Sequence, residues 1–173
     1  TAKMTSKRSL GVRAGQEGRS QPDLLRVHGL IGRCGQREVF VAFATASDLC
    51  RASYPDVLNE ATGSGYQRRF SREHSLGFKR YIQTEGATSI PLTFNLRNDK
   101  GARWSVSRTG RSHSAVLVLD LSDGPILGQV DGQHRLGFMQ DSPIPFPFMT
   151  FLGMSEQEEM EVFRTINGKA KGL

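Results

Sequence analysis

The chain has 173 residues, 37% of them hydrophobic, with 23 Lys and Arg against 17 Asp and Glu, a formal net charge of +6 and a sequence pI of about 9.7. That length allows one domain with a real core. No apolar run approaches the ~20 residues that a membrane-crossing helix needs, which excludes such a helix from this sequence. The charge is unevenly placed: residues 1–80 hold 14 Lys/Arg and 7 Asp/Glu, and residues 81–173 hold 9 and 10. The basic bias therefore sits in the first half, where it suits a polyanionic partner.

Residues 1–22 carry Lys3, Lys7, Arg8, Arg13 and Arg19 among Gly, Ser and Gln, with no core-forming period and no apolar segment of the secretory kind. They are expected to be a flexible basic arm, either touching DNA phosphates or standing in solvent, ahead of a domain over residues 23–173. Leu24 to Ile31 and Arg37 to Ala44 are β-prone runs separated by Gly32-Arg-Cys-Gly35, which predicts a hairpin. The nearly all-apolar run Val39 to Phe43 predicts that its second strand is buried. Ser47 is placed to cap a short helix over Asp48 to Ser53 that stops before Pro55. Cys34 and Cys50 have no metal-ligand spacing; they are expected to be free thiols in a reducing compartment, which gives the cytoplasm.

Gly63-Ser-Gly65 leads flexibly into Tyr66, Gln67, Arg68 and Arg69. Ser71 is the expected N-cap of a helix reaching about Thr84, with Leu76, Phe78, Tyr81 and Ile82 on its apolar side. Two arginines beside an aromatic suit phosphate or base contact, and the same residues also read as an exposed basic loop. Pro91 to Leu96 reads as a strand, Asn98 to Gly101 as a turn, Trp104 to Arg108 as an edge strand and Gly110 to His113 as a further turn. Arg103, Arg108 and Arg111 around the lone Trp104 are candidate DNA contacts, with the indole stacking on a base. The simpler arrangement packs Trp104 on the sheet edge and leaves the arginines in water. Ala115 to Leu121 has the strongest strand pattern; being apolar on both faces but for Asp120, it predicts a central strand.

Ile126 to Val130 is a short apolar run that predicts a buried strand, turning at Asp131-Gly132 into a short helix over Gln133 to Gln140. Asp131 is placed to cap that helix, and Gly132 permits a sharp bend or close approach to a ligand. Gln133, His134 and Arg135 crowd the first turn, where free N–H groups favour an anion. A capped helix with a solvated first turn fits the same spacing equally well. Ser142 to Pro147 predicts a rigid extended lead-in to a last strand, Phe148 to Leu152. Ser155 with Glu158 makes a capping box for a final helix, on which Met160 and Phe163 should bury and Asn167 suits a C-cap. Asp120, Asp123 and Asp131 lack regular ligand spacing, so no metal site is expected among them.

Val130-Asp-Gly-Gln-His-Arg135, taken with Gly65-Tyr-Gln-Arg-Arg69 ahead of a helix and Phe163-Arg-Thr-Ile-Asn167 at a helix end, resembles the DGQHR-domain (DndB-like) family of DNA sulfur modification, or phosphorothioation, systems. Through it the chain resembles the wider ParB/sulfiredoxin-like superfamily. The segments come in the family's order and span roughly residues 30–170. The resemblance implies an α+β fold, a ParB/sulfiredoxin-like mixed β-sheet flanked by a few short helices. It implies Asn167 turned toward the polar pocket, and a domain cut short before a further helical region. It also implies binding to double-stranded DNA, transcriptional control of the modification genes, and company with other DNA-modification proteins. The basic first half and the arginine-rich loops agree with this. The alternative is a nucleotide-binding or nucleotide-hydrolysing, ParB-like NTPase. There Gly132 and Arg135 hold the phosphates of a nucleotide triphosphate, Gln133 or His134 positions water, and Asp131 holds Mg2+ or orients His134, making Asp131 and His134 the catalytic pair. A structural member of a modification assembly with a vestigial pocket is the third reading.

Overall fold

The computed structural model describes residues 21–57, 61–67 and 69–169. The expected basic arm, apart from residues 21 and 22, and the predicted contact residue Arg68 lie outside the described residues. The predicted hairpin forms as β1 (Leu24–Cys34) and β2 (Arg37–Thr45). β1 runs on to Cys34 because Gly35, at φ 61°, makes the reversal with Gln36 alone, and β2 runs one residue further at its other end, to Thr45. The run Val39 to Phe43 is not buried as a whole. Phe40 and Ala42 enter the core while Val41 and Phe43 stand exposed on the other face, as the two-residue period of a strand requires. α1 (Ala46–Ala52) starts two residues early because the Thr45 hydroxyl, not Ser47, accepts the Asp48 amide at 3.2 Å. After β3 (Ser53–Tyr54), α2 (Arg72–Tyr81) begins at its expected cap, with the Ser71 hydroxyl accepting from the His74 amide.

β4 (Leu92–Leu96) is buried at every position, and a 3-10 turn over Asn98–Arg103 leads to β5 (Trp104–Arg108). β6 (Ser114–Asp120), β7 (Leu127–Asp131), α3 (Gln133–Leu136), β8 (Pro145–Leu152) and α4 (Glu156–Lys169) complete the described chain. The strands form one mixed sheet in the order β3-β7-β4-β8-β2-β1-β6-β5. Pairing is parallel at β3–β7 and β4–β8 and antiparallel elsewhere. Val39 sits opposite Phe151, and Leu25 opposite Leu119. β5 is the edge strand its sequence predicts. β6 is not central: it lies second from the edge, burying Ala115, Leu117 and Leu119 and leaving Val116 and Val118 half-covered. The sheet curls strongly, since Trp104 on that far edge donates its indole N–H to the Arg97 carbonyl, just past β4, at 3.4 Å. A mixed sheet with a few short helices is the α+β class expected.

One face of the sheet holds the main core, where Phe40, Phe94, Phe146, Phe148, Leu117 and Leu127 meet Leu49 of α1, Leu136 of α3 and Phe78 of α2. Each fully buried side chain of this size contributes about 1.5–3 kcal/mol. α4 covers part of the opposite face, where Val162 packs on Val39, Phe151 and Met154. Its capping box forms: the Ser155 hydroxyl accepts the Glu158 amide at 3.2 Å. Met160 and Phe163 are only partly buried, however, and the residue that α4 buries completely is Glu159. Among the described residues no helix is long and apolar enough to cross a membrane.

Candidate functional site

β7 delivers the chain to Asp131, and Gly132 turns it. Gly132 has φ 127°, and a Cβ there would stand 2.5 Å from Leu92 Cδ2, so both backbone and packing demand glycine. Gly132 itself takes the N-cap position. Asp131 therefore does not cap the helix as predicted; its carboxylate reaches forward and pairs with Arg135 at 2.8 Å. α3 is a single turn rather than the expected helix to Gln140, too short for aligned peptide dipoles to hold an anion. Arg135 also donates to Ser89 Oγ at 3.0 Å and to the Ile90 carbonyl, tying the turn to the segment ahead of β4. Burial lowers the pKa of its guanidinium, and Asp131 opposes that shift.

His134 Nε2 accepts the Ser71 amide at 3.3 Å, which leaves the ring proton on Nδ1. The ring stacks on Phe70, with centroids 6.1 Å apart, and meets His74 edge-on at 5.5 Å. Burial, aided by His74, holds its pKa below the ordinary 6.5, against a pull from Asp131. Such a histidine binds its proton less readily folded than unfolded. Its contribution to stability is therefore intact above the ordinary value and lost as pH falls from there through the lower folded value. The urea midpoint is expected to drop as pH falls below the ordinary imidazole value of about 6.5, and His134→Gln should flatten that part of the profile. Equal pH slopes in the two proteins would remove His134 from the titration.

Beside the turn, on the side of the sheet that α4 covers, opens a cavity of about 520 Å³. Tyr66 and Gln67 line it together with Val130 to Arg135 and, from α4, Phe163, Arg164, Asn167 and Gly168. The three segments singled out in the sequence thus meet around one space. Tyr66 meets Phe163 edge-on at 4.9 Å, and Gln67 donates to the Gln129 carbonyl. Gln133 Nε2 is buried without a hydrogen-bond partner. Asn167 is exposed and donates to the Phe163 carbonyl at 2.8 Å, so its amide nitrogen serves its own helix while the residue lines the cavity.

Sequence reasoning missed the cluster that backs this wall. Glu159, fully buried, accepts from Tyr66 Oη at 2.7 Å, Asn95 Nδ2 at 3.0 Å, and Arg97 Nε and Nη2 at 3.1 and 2.8 Å. Arg97 also pairs with Asp56 and lies over the Tyr54 ring. Gly128 makes room, since a Cβ there would come within 2.7 Å of Glu159 Oε1. Burial and the bond to Glu159 push the Tyr66 phenol pKa up. Burial alone would lower that of Arg97, but its bonds to Glu159 and Asp56 outweigh this and raise it.

The other predicted contacts separate. Arg69 is exposed just ahead of α2. Arg103 turns inward and donates to the Gly124 and Asp120 carbonyls at 2.7 and 3.3 Å, which holds the turn ahead of β7. Arg108 pairs with Glu38 at 3.2 Å, and Arg111 is exposed in the turn before β6. Arg103, Arg108 and Arg111 thus belong to β5 and its flanks, and none of the three lines the cavity. Of the two thiols, Cys34 is exposed and Cys50 donates to the Leu136 carbonyl, its pKa pushed up to about 11 by burial. Among protein-family models, curated proteins and solved structures none matches this chain.

Proposed function

We propose that this chain is a DNA-binding protein of the DndB type, a cytoplasmic regulator of transcription of DNA phosphorothioation genes with a ParB/sulfiredoxin-like fold, acting on double-stranded DNA alongside other modification proteins. One observation carries the reading. Arg69, Arg72, Lys79 and Arg80, on α2 and its lead, are all exposed, and among the described residues none has a carboxylate partner. Arg37, Arg51, Arg97, Arg108 and Arg135 are each paired with Asp or Glu. Unneutralised cations on one helix are what a polyanion rewards, through counterion release from its phosphates. His134, bonded to Ser71 and stacked on Phe70, joins this basic helix to the turn beside the cavity. The strand–turn–helix of β7 and α3 on a mixed sheet supports the family type.

The NTPase reading, with Mg2+ and a triphosphate, has less support. Asp131 already pairs with Arg135, and His134 Nε2 already accepts from Ser71. Both candidate catalytic groups are thus engaged in holding the turn.

DNA titrations followed by fluorescence anisotropy at about 50 and 200 mM salt test the reading. Affinity should fall steeply with salt, and the variant Arg69→Ala/Arg72→Ala/Arg80→Ala should reduce the log–log slope by roughly 2–3. A flat native profile, or the same slope in the variant, rejects it. Equal affinity for phosphorothioation-gene promoters and unrelated DNA rejects the regulatory part alone.

A further inference from the structure

We propose that the cavity beside the 131–135 turn receives one unstacked base of the bound DNA. This rests on the DNA-binding reading above and adds to it a ligand for the cavity.

The space, about 520 Å³, lies within the ~300–1,000 Å³ typical of small-molecule sites. Its lining is chemically mixed in the way a nucleobase needs. Phe163 and Tyr66 offer aromatic surface, and Val130 offers apolar surface. The hydrogen-bonding capacity left over is that of carboxamides. Gln133 also lines the cavity; its Nε2 has no partner inside the protein and is screened from solvent, so it meets a base once its side chain turns. Gln67 and Asn167 each spend their amide nitrogen on a backbone carbonyl, which leaves their side-chain oxygens to accept. Carboxamides of this kind match the donor and acceptor pattern on the edge of a base.

The charge around the cavity argues in the same direction. Arg135 is neutralised by Asp131, while Arg164 is exposed and without a carboxylate partner among the described residues. Among the described lining residues Arg164 is a free cation, and it suits the backbone phosphate that accompanies an extruded nucleotide. The lead into α2, where exposed Arg69 follows the lining residue Gln67 by two positions, would hold the flanking strand. Proteins that take a base out of the stack bind best where that base is already unpaired, because the cost of unpairing is then absent.

The test compares two duplexes by anisotropy at the same salt, one fully paired and one with a single thymine opposite an abasic site. The native chain should bind the second at least about tenfold more tightly, since unpairing is already done. Asn167→Trp, on an exposed position of α4, puts an indole into the cavity, and Gln133→Ala removes the unpartnered donor. Both should bring the ratio of affinities toward one. Equal native affinity for the two duplexes overturns the base site and leaves the DNA-binding reading standing. A tenfold preference that survives both substitutions overturns the assignment to this cavity. Failure to bind either duplex at about 50 mM salt overturns the DNA-binding reading together with the inference.

Discussion

Glu159→Gln should lower the unfolding free energy by about 3–5 kcal/mol, the cost of breaking a buried ion pair from one side. The carboxylate is fully buried and takes hydrogen bonds from Tyr66, Asn95 and Arg97. A carboxamide would turn an N–H toward some of these donors and leave the Arg97 guanidinium with Asp56 and, at 3.6 Å, the exposed Glu156 as its carboxylates among the described residues. A single domain is stable by about 5–15 kcal/mol, so a large share would go. Glu156→Gln is the internal control. Its carboxylate is 59% exposed and 3.6 Å from the same guanidinium, so about 0–1 kcal/mol is expected. Urea unfolding followed by far-UV circular dichroism separates the two. Equal midpoint shifts would mean that the network under α4 does not hold the fold. Because Tyr66 loses its anchor, the cavity wall should loosen as well.

Gly132→Ala should cost about 2–6 kcal/mol. A backbone at φ 127° strains any residue with a Cβ by about 1–3 kcal/mol, and forcing an extra carbon into a packed site adds about 1–3 kcal/mol. The atom in the way, Leu92 Cδ2 at 2.5 Å, belongs to a fully buried side chain with nowhere to move. Gly137→Ala is instructive by contrast. Its Cβ would come closer still, 2.2 Å from Phe70 Cε2 and 2.7 Å from the buried Ser75 Oγ, but the Phe70 ring is 41% exposed and the backbone there is helical. About 1–3 kcal/mol of overpacking is expected, without the backbone strain added at Gly132. Adding Leu92→Ala to Gly132→Ala should relieve the collision but not the backbone strain. A Gly132→Ala protein as stable as the native one would show that the turn adopts another conformation.

Local chemistry made much of the architecture readable. β-prone and short apolar runs mark β1, β4 and β7, and Ser71 and Ser155 announce the starts of α2 and α4. What failed depended on neighbours distant in sequence. Val41 and Phe43 look like core until α4 proves to cover only part of that face. β6 looks central because its outer valines are as apolar as its inner leucines, and strand order is not a local property. Asp131 reads as a cap, yet Gly132 occupies that place and frees the carboxylate for Arg135. Glu159 was the largest omission, since an acid in Glu-Gln-Glu-Glu-Met reads as solvated. Its signal was faint: it shares a helical stripe with Val162, Phe163 and Ile166, and Arg97 directly follows the wholly buried β4. The meeting of three segments around one cavity was legible only as their order along the chain.

The register of β2 bears on how the protein reaches this state. Its partners are β1 on one side and β8 on the other, with Val39 opposite Phe151, and β1 in turn waits for β6. The hairpin is synthesised ahead of β6 and β8, yet Phe40 and Ala42 stay uncovered until those strands have left the ribosome. Closing such long loops is entropically slow before contacts repay it, so assembly should be late and concerted rather than progressive. During that delay the nascent hairpin is the segment most in need of a chaperone's shelter.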